Sequence, residues 1–259
     1  DEFNEKGASV IEGDFGANVL AYGIDFKKLP VGTKLICNDV KFEVTQIGKE
    51  CHSHCEIYKR VGDCIMPREG IFAKVLEGGM IKVGDKIKVI YPDKDMPYQA
   101  AVITLSDKGS RGERVDTSGP KASEILREHG FEIIEEILLP DEMAQIKKEL
   151  IRLSDSRQVD LIITTGGTGL SPRDCTPEAT LAVADRNVPG IAEAIRAGSM
   201  TITKRAMLSR GVSVIRKKTL IINLPGSKKA VEEGLSFIID QLPHGLDTLR
   251  GNTQDCGRN

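Results

Sequence analysis

Residues 161–180 read LIITTGGTGLSPRDCTPEAT, and strand, turn and helix signals change over within this one stretch. Leu161 to Ile163 form a short apolar run rich in β-branched residues, which predicts a strand buried on both faces of a parallel sheet. Gly166, Gly167 and Gly169 end it. Thr176, Pro177 and Glu178 supply an N-cap, a proline at the first helical position and an early carboxylate, so a helix is predicted to start there. A glycine-rich loop between strand and helix exposes backbone N–H groups, and a nearby helix N-terminus adds about half a positive charge, a combination suited to phosphate. The Gly-Lys-Ser/Thr ending of a P-loop is absent, and Pro172 stands where a dinucleotide fingerprint needs a small residue. Asp174 inside the loop points to a screening cation, most simply Mg²⁺, beside any bound phosphate. The plainer alternative is a turn carrying a solvated Arg173–Asp174 pair.

Working outward, 259 residues suffice for two ordinary domains at about 100 to 200 residues each. The 36 basic and 38 acidic residues are interspersed, which predicts neither a nucleic-acid stripe nor a polybasic membrane surface. No run approaches the roughly 18 consecutive apolar residues of a membrane span, and the polar start lacks a signal-peptide core, so a cytoplasmic protein is expected. Six cysteines spread over this length are expected to be reduced thiols rather than a disulfide framework. The chain opens Asp1-Glu2-Phe3 without an initiator methionine, as a fragment would.

Residues 1–91 carry short apolar runs broken by glycine turns, including LPVGTKLIC, VKFEVTQIG and MIKVGDKIKVI. This is an antiparallel pattern, and a small β-barrel-like domain is its expected closure. Cys51-His52-Ser53-His54-Cys55, with Cys64 beyond, contains zinc-ligand residue types. The Cys-x3-Cys spacing is looser than a zinc ribbon and lacks a second matched pair, so zinc at Cys51 and Cys55 is not expected. A reduced thiol cluster, or a cysteine that handles sulfur or a soft metal, are the remaining readings. The run VTQIGKECHSHCEIYKRVGDCIMPREGIFAKVLEGG, with GDFGANV before it and IKVGDKI after it, resembles the C-terminal portion of a MOSC domain, the module of molybdenum cofactor sulfurases. Cys51 falls at that family's characteristic cysteine, which implies molybdenum cofactor or sulfur handling. The resemblance covers about residues 8–90, without the upstream strands of such domains.

Residues 92–98, PDKDMPY, are expected to be a linker. Over 99–251 strands and helices alternate: a strand at Ala101–Leu105, a helix over 119–129, a strand at 133–139, a helix after Asp141, and then the strand of the opening stretch. Helices over 178–185 and 189–209, a strand pair over 212–223 and a helix after Ser227 follow; residues 252–259 are left as a tail. The pattern predicts a three-layer α/β domain with a mainly parallel sheet. Ligands of such sheets bind beyond the carboxyl ends of the strands. There the order of elements gathers Ser106, Asp107, Asp141, the Gly166–Gly169 loop, Asp174 and Ser227, although Asp141 and Ser227 also read as helix caps and Asp107 as a loop tip.

TTGGTG, SPRDCTPEATLAVADRNVPGIAEAIR and AMLSRGVSVIRKKTLIINLPGS resemble the molybdopterin adenylyltransferase family, also seen in the G domain of gephyrin and its plant counterpart. The resemblance implies a trimeric α/β enzyme that uses ATP and Mg²⁺ to attach AMP to the terminal phosphate of molybdopterin, with release of pyrophosphate. Asp141 and Asp174 match its two functional aspartates and are the expected catalytic and Mg²⁺-positioning residues. Ser106, Asp107, Thr165, Gly166, Gly167, Thr168, Gly169, Glu193, Ser209, Asn223, Pro225, Gly226 and Ser227 are the expected substrate-binding positions. A binding-only carrier or scaffold, and a sulfur or molybdenum transfer protein acting through Cys51, are the alternatives; other proteins of molybdenum cofactor synthesis are expected partners.

Overall fold

The computed structural model describes Asn4, Val10, Ile11 and residues 13–49, 56–92 and 96–251. The chain divides into two compact units, Asp1–Asp93 and Lys94–Asn259.

The first unit contains β1 (Lys34–Cys37), β2 (Val40–Ile47), α1 (Glu56–Val61), α2 (Met66–Glu69), β3 (Ile71–Glu77) and β4 (Lys88–Ile90). A two-residue turn joins β1 to β2, with Cys37 opposite Val40 and Asn38 at φ 53°, the left-handed value such hairpins need and asparagine tolerates. The strands form an antiparallel sheet in the order β3-β2-β1-β4 around a small core of Leu29, Leu35 and Val44. Among the described residues these four strands form an open sheet whose outer strands β3 and β4 do not pair with each other, so the barrel closure expected from the sequence is not seen there. Its outer strand β3 leaves Val75 and Leu76 exposed. Cys51, His52, His54 and Cys55 lie outside the described residues; Cys37 and Cys64 are buried.

The second unit runs β5 (Gln99–Leu105), α3 (Asp107–Ser110), α4 (Ser118–Glu128), β6 (Glu132–Leu139), α5 (Met143–Ile151), β7 (Leu161–Thr165), α6 (Thr176–Leu181), β8 (Arg186–Asn187), α7 (Pro189–Ile202), β9 (Ser213–Arg216), β10 (Thr219–Leu224), α8 (Lys228–Ser236) and α9 (Leu242–Arg250). The sheet order is β6-β5-β7-β10-β9-β8. The first four strands are parallel and the last two antiparallel. β7 and β10 are buried at every position, as central strands covered on both faces must be.

Strand alternation then assigns the helices to faces. Leu161 and Ile163 of β7 point into a core shared with Leu126 of α4, Ile195 of α7, Leu235 of α8 and Leu246 of α9. Ile162 points the other way, among Ile146 and Leu150 of α5 and Ala179 of α6. Each such side chain contributes about 1.5–3 kcal/mol by leaving water, so the three layers follow from the apolar residues of the central strands.

Two sequence expectations need correction. The helix read over 189–209 stops at Ile202: Thr203 is extended, with φ −146° and ψ 128°, and its hydroxyl caps a short 3₁₀ turn at Lys204–Leu208. α9 was not expected, although Pro243 at its start, apolar Leu242, Leu246 and Leu249, and Gly251 in the left-handed C-terminal position carry the ordinary signals.

α9 is tied back to the strand starts by Arg250. Its guanidinium donates to both oxygens of Asp160 at 2.8 Å and to the carbonyl of Met96 at 2.8 Å, and sits 4.4 Å above the Tyr98 ring. Removing one partner of a largely buried pair strands the other charge. Arg250→Ala is therefore expected to cost the second unit about 2–3 kcal/mol, discounted for partial exposure, read as a lower unfolding midpoint in denaturant titration.

Candidate active site

The loops that leave the carboxyl ends of β5, β6, β7 and β10 surround a cleft of about 760 Å³. Its floor is the bend after β7. Gly166 has φ 98° and Gly167 φ 61°. A Cβ at Gly166 would stand 2.3 Å from the Leu105 carbonyl oxygen, and one at Gly167 would stand 2.2 Å from Thr176 Oγ1 and 2.9 Å from Asp141 Oδ1. At Gly169 it would meet Asp174 Oδ2 at 2.7 Å. Only glycine fits the first two positions, and their bareness lets the two carboxylates lie against the loop.

Asp141 follows β6. The sequence allowed it to be a helix cap, but Glu142 occupies the cap position of α5 and no side chain caps there. Instead Asp141 Oδ2 accepts the Asp107 N–H at 3.1 Å while the Asp141 N–H donates to Asp107 Oδ1 at 3.0 Å. This reciprocal pair locks the loops after β5 and β6 together. Asp141 Oδ1 is buried and accepts no hydrogen bond. Burial foremost, with the neighbouring Asp107 and Asp174 charges, pushes its carboxyl above the ordinary carboxylate range. An unpartnered buried acceptor beside a second carboxylate is suited to a cation. Among the described residues no cluster of three or more His, Cys, Asp or Glu side chains is placed to hold a metal. A divalent ion at Asp141 and Asp174 would thus draw its other ligands from phosphate and water, as Mg²⁺ commonly does.

Asp107 itself is engaged by Arg173, whose Nε and Nη2 donate at 3.0 and 2.9 Å and which also reaches Glu142. That guanidinium holds the Asp107 carboxyl below its usual range. Arg173 therefore pairs with Asp107, not with the adjacent Asp174.

Ser106, Asp141, Gly166, Gly167, Thr168, Gly169, Asp174, Ser209, Pro225, Gly226 and Ser227 all line the cleft. Four expected positions do not. Thr165 is buried beneath it, 3.0 Å from the Ser118 hydroxyl. Asn223 is buried between strands and helix, donating to Thr164 Oγ1 and Thr180 Oγ1 at 2.9 and 3.0 Å, so it braces β10 against β7 and α6. Glu193 is exposed on α7, outside the cleft. Asp107 stands behind Asp141. Ser106 and Ser227 also cap α3 and α8, accepting from Gly109 and Ala230 N–H groups. Thr176 was read as a cap, yet its hydroxyl donates to the Gly166 carbonyl at 3.0 Å; it fastens the start of α6 to the glycine bend.

Two contributors were not legible beforehand. Arg210 Nε donates to the Gly169 carbonyl and Nη2 to the Asp174 carbonyl, both at 2.6 Å, and Nη1 pairs with Glu178. One guanidinium thereby holds both ends of the loop that carries Asp174. Asp116 takes hydrogen bonds from Thr104 Oγ1 at 2.6 Å and from the Ser118 and Gly119 N–H groups at 2.9 and 3.1 Å. The Asp-x-Ser-Gly run before α4 was a capping signal in plain view; Arg210 depends on contacts 36 and 41 residues away.

The family model described as "Probable molybdopterin binding domain" matches residues 101–244, more than half of the chain. The chain belongs to that family. A MOSC domain model matches residues 1–88. Among relatives, the molybdopterin adenylyltransferase of Helicobacter pylori strain J99 is 40% identical over 153 residues, 58% of this chain and 87% of the relative. That of Escherichia coli K12 is 44% identical over 142 residues, 54% of this chain and 72% of the relative. The structure of the molybdopterin biosynthesis enzyme MoaB from Thermus thermophilus is 47% identical with a TM-score of 0.57, over 60% of this chain and 97% of that one. That of the tungsten cofactor synthesizing protein MoaB from Pyrococcus furiosus is 33% identical with a TM-score of 0.54, over 60% and 95%. The mainly parallel α/β sheet of the second unit is thus the molybdopterin-binding family's fold, and no helix among the described residues is long and apolar enough to cross a membrane.

The Asp141 environment gives a signed pH prediction. A carboxyl whose folded pKa is raised binds its proton more tightly folded than unfolded, so its ionisation costs stability at neutral pH and costs nothing below the unfolded value. Asp141→Asn removes that cost while keeping an acceptor for the Asp107 N–H. The variant is expected to unfold at a higher temperature than wild type at about pH 7–8, with the difference vanishing toward about pH 3, as followed by circular dichroism melts.

Proposed function

We propose that the second unit is a molybdopterin adenylyltransferase that transfers AMP from Mg-ATP to the terminal phosphate of molybdopterin. The observation that carries this reading is the placement of Asp141 Oδ1, buried and unpartnered, and of Asp174 Oδ2 against the same glycine bend. It is supported by the adenylyltransferases of 40–44% identity. The acceptor phosphate oxygen attacks the α-phosphorus of ATP, a new P–O bond forms, and the bond to pyrophosphate breaks. The nucleophile is already anionic, so no strong general base is required.

What this chain supplies is position and charge. Asp141 and Asp174 would hold the Mg²⁺. When bound, that ion neutralises charge on the phosphates. The bare backbone of Gly166 to Gly169 lets phosphate approach closely, and the reciprocal Asp107–Asp141 hydrogen bonds keep the carboxylate from turning away. Arg210 keeps the Asp174 loop from drifting, a matter of consequence where misplacement by about 1 Å costs about a hundredfold.

A homotrimer through this unit is supported by the exposed apolar residues Met200, Ile202, Met207 and Leu208 on α7 and the turn after it. For the first unit we propose molybdenum cofactor or sulfur handling through Cys51, supported by the MOSC match. Cys51→Ser should then leave adenylylation in vitro intact and impair cofactor maturation in cells.

Incubating the purified chain with molybdopterin and ATP, with and without Mg²⁺, should give adenylylated pterin and pyrophosphate only with the ion. Absence of product would instead favour a binding-only carrier. Asp174→Asn should lower the rate by about 10²-fold or more with pterin binding largely kept; equal losses in both would remove the metal-positioning role.

A further inference from the structure

Asp141 and Asp174 on the one hand, and the uncommitted bases of the cleft on the other, belong to opposite faces of the sheet. Asp141 precedes α5 and Asp174 precedes α6, the helices packed on the Ile162 face. Arg114 precedes α4, Arg205 lies in the turn after α7, and Lys228 is the first residue of α8; these helices pack on the Leu161 and Ile163 face. All five residues line the one cleft.

Most arginines of this unit are taken: Arg111 by Glu113, Arg173 by Asp107 and Glu142, Arg210 by Glu178 and Arg216 by Asp155. Arg196, also in the lining, donates to the Gly211 carbonyl. Arg114, Arg205 and Lys228 pair with no acid among the described residues. The lining acids on their side are occupied, Asp116 by the α4 N-terminus and Thr104, and Glu233 by Lys229. Three cations from three separate elements therefore face a cleft with uncompensated charge, and a concave wall focuses that field.

Resting on the adenylyltransferase reading, we infer that Arg114, Arg205 and Lys228 form an anion subsite for the phosphomonoester of the acceptor pterin, across the glycine bend from the carboxylates that serve the nucleotide. The physical reason is the division of charge. A nucleotide polyphosphate arrives with its own divalent cation and suits a carboxylate wall. A pterin phosphate arrives as a dianion without a metal and requires protein cations to approach a second polyanion. The two reactants then enter from opposite faces of the sheet and meet over Gly166–Gly169.

The test uses the full chain and compares wild type with the triple variant Arg114→Ala, Arg205→Ala, Lys228→Ala and with the charge-keeping triple variant Arg114→Lys, Arg205→Lys, Lys228→Arg. Steady-state kinetics are run in each reactant separately, and molybdopterin binding is followed by pterin fluorescence without nucleotide or Mg²⁺. The alanine variant is expected to raise the KM for molybdopterin by about tenfold or more with the KM for Mg-ATP unchanged, and to weaken metal-free pterin binding in proportion. The charge-keeping variant should stay near wild type, and wild-type binding should weaken with added salt. A rise in the KM for Mg-ATP alone, equal rises for both reactants, or unchanged pterin binding would overturn the subsite. If wild type forms no adenylylated product, the adenylyltransferase reading fails; the metal-free binding comparison still decides the subsite.

Discussion

Strand β7 leaves the sheet between β5 and β10, and the bend it makes there has room for backbone alone. The Leu105 carbonyl on one side and the Thr176 hydroxyl on the other stand where the β-carbons of Gly166 and Gly167 would be. Both glycines also sit at positive φ, where a side chain adds backbone strain. Because the bend is forced tight, the loops after β5 and β6 close over it, and the Asp141 carboxylate ends against the chain without a hydrogen-bond donor for one oxygen. The cleft and its buried acid are consequences of this one steric limit.

Around that bend the polar side chains divide into those that hold the backbone and those left for a ligand. Asp107, Asp116, Asn223, Thr176 and Arg210 each bind backbone or buried partners. They join the ends of four strands to the starts of α4 and α6. Such ties resist displacement because each buried polar group that loses its partner costs about 1–3 kcal/mol. Asp141 and Asp174 are held in place by this frame while Asp141 Oδ1 stays buried without a hydrogen-bond partner. Stability and site geometry are here at odds in one respect, since a charged Asp141 is disfavoured by its burial. Strain of that kind is commonly kept where function requires it.

The two units differ in how much structure their sequences can support. In the second, helices cover both faces of a six-stranded sheet, giving two continuous apolar cores. In the first, four antiparallel strands share one small core and leave apolar side chains of β3 in water. A sheet with one buried face derives less from hydrophobic burial, which scales with the area removed from solvent.

The alternation of strands and helices, the buried character of β7 and the glycine bend were readable from local pattern alone, because side-chain periodicity and backbone sterics act over a few residues. So was the gathering of Asp141, Asp174 and the glycine loop at one rim, since strand-to-helix loops of a parallel sheet must lie on the same edge. α9 carries local helix signals too, in Pro243 and the left-handed Gly251. Pattern could not separate which polar residues face the cleft from which brace it. Asn223 and Thr165 look like loop-proximal binding residues and prove to be internal ties; Asp141 looks like a cap and is not one. Arg210 and the side of the cleft taken by Arg114, Arg205 and Lys228 were decided only by the tertiary fold. Their roles rest on which face of the sheet each helix covers and on contacts between positions tens of residues apart, neither of which a local sequence pattern encodes.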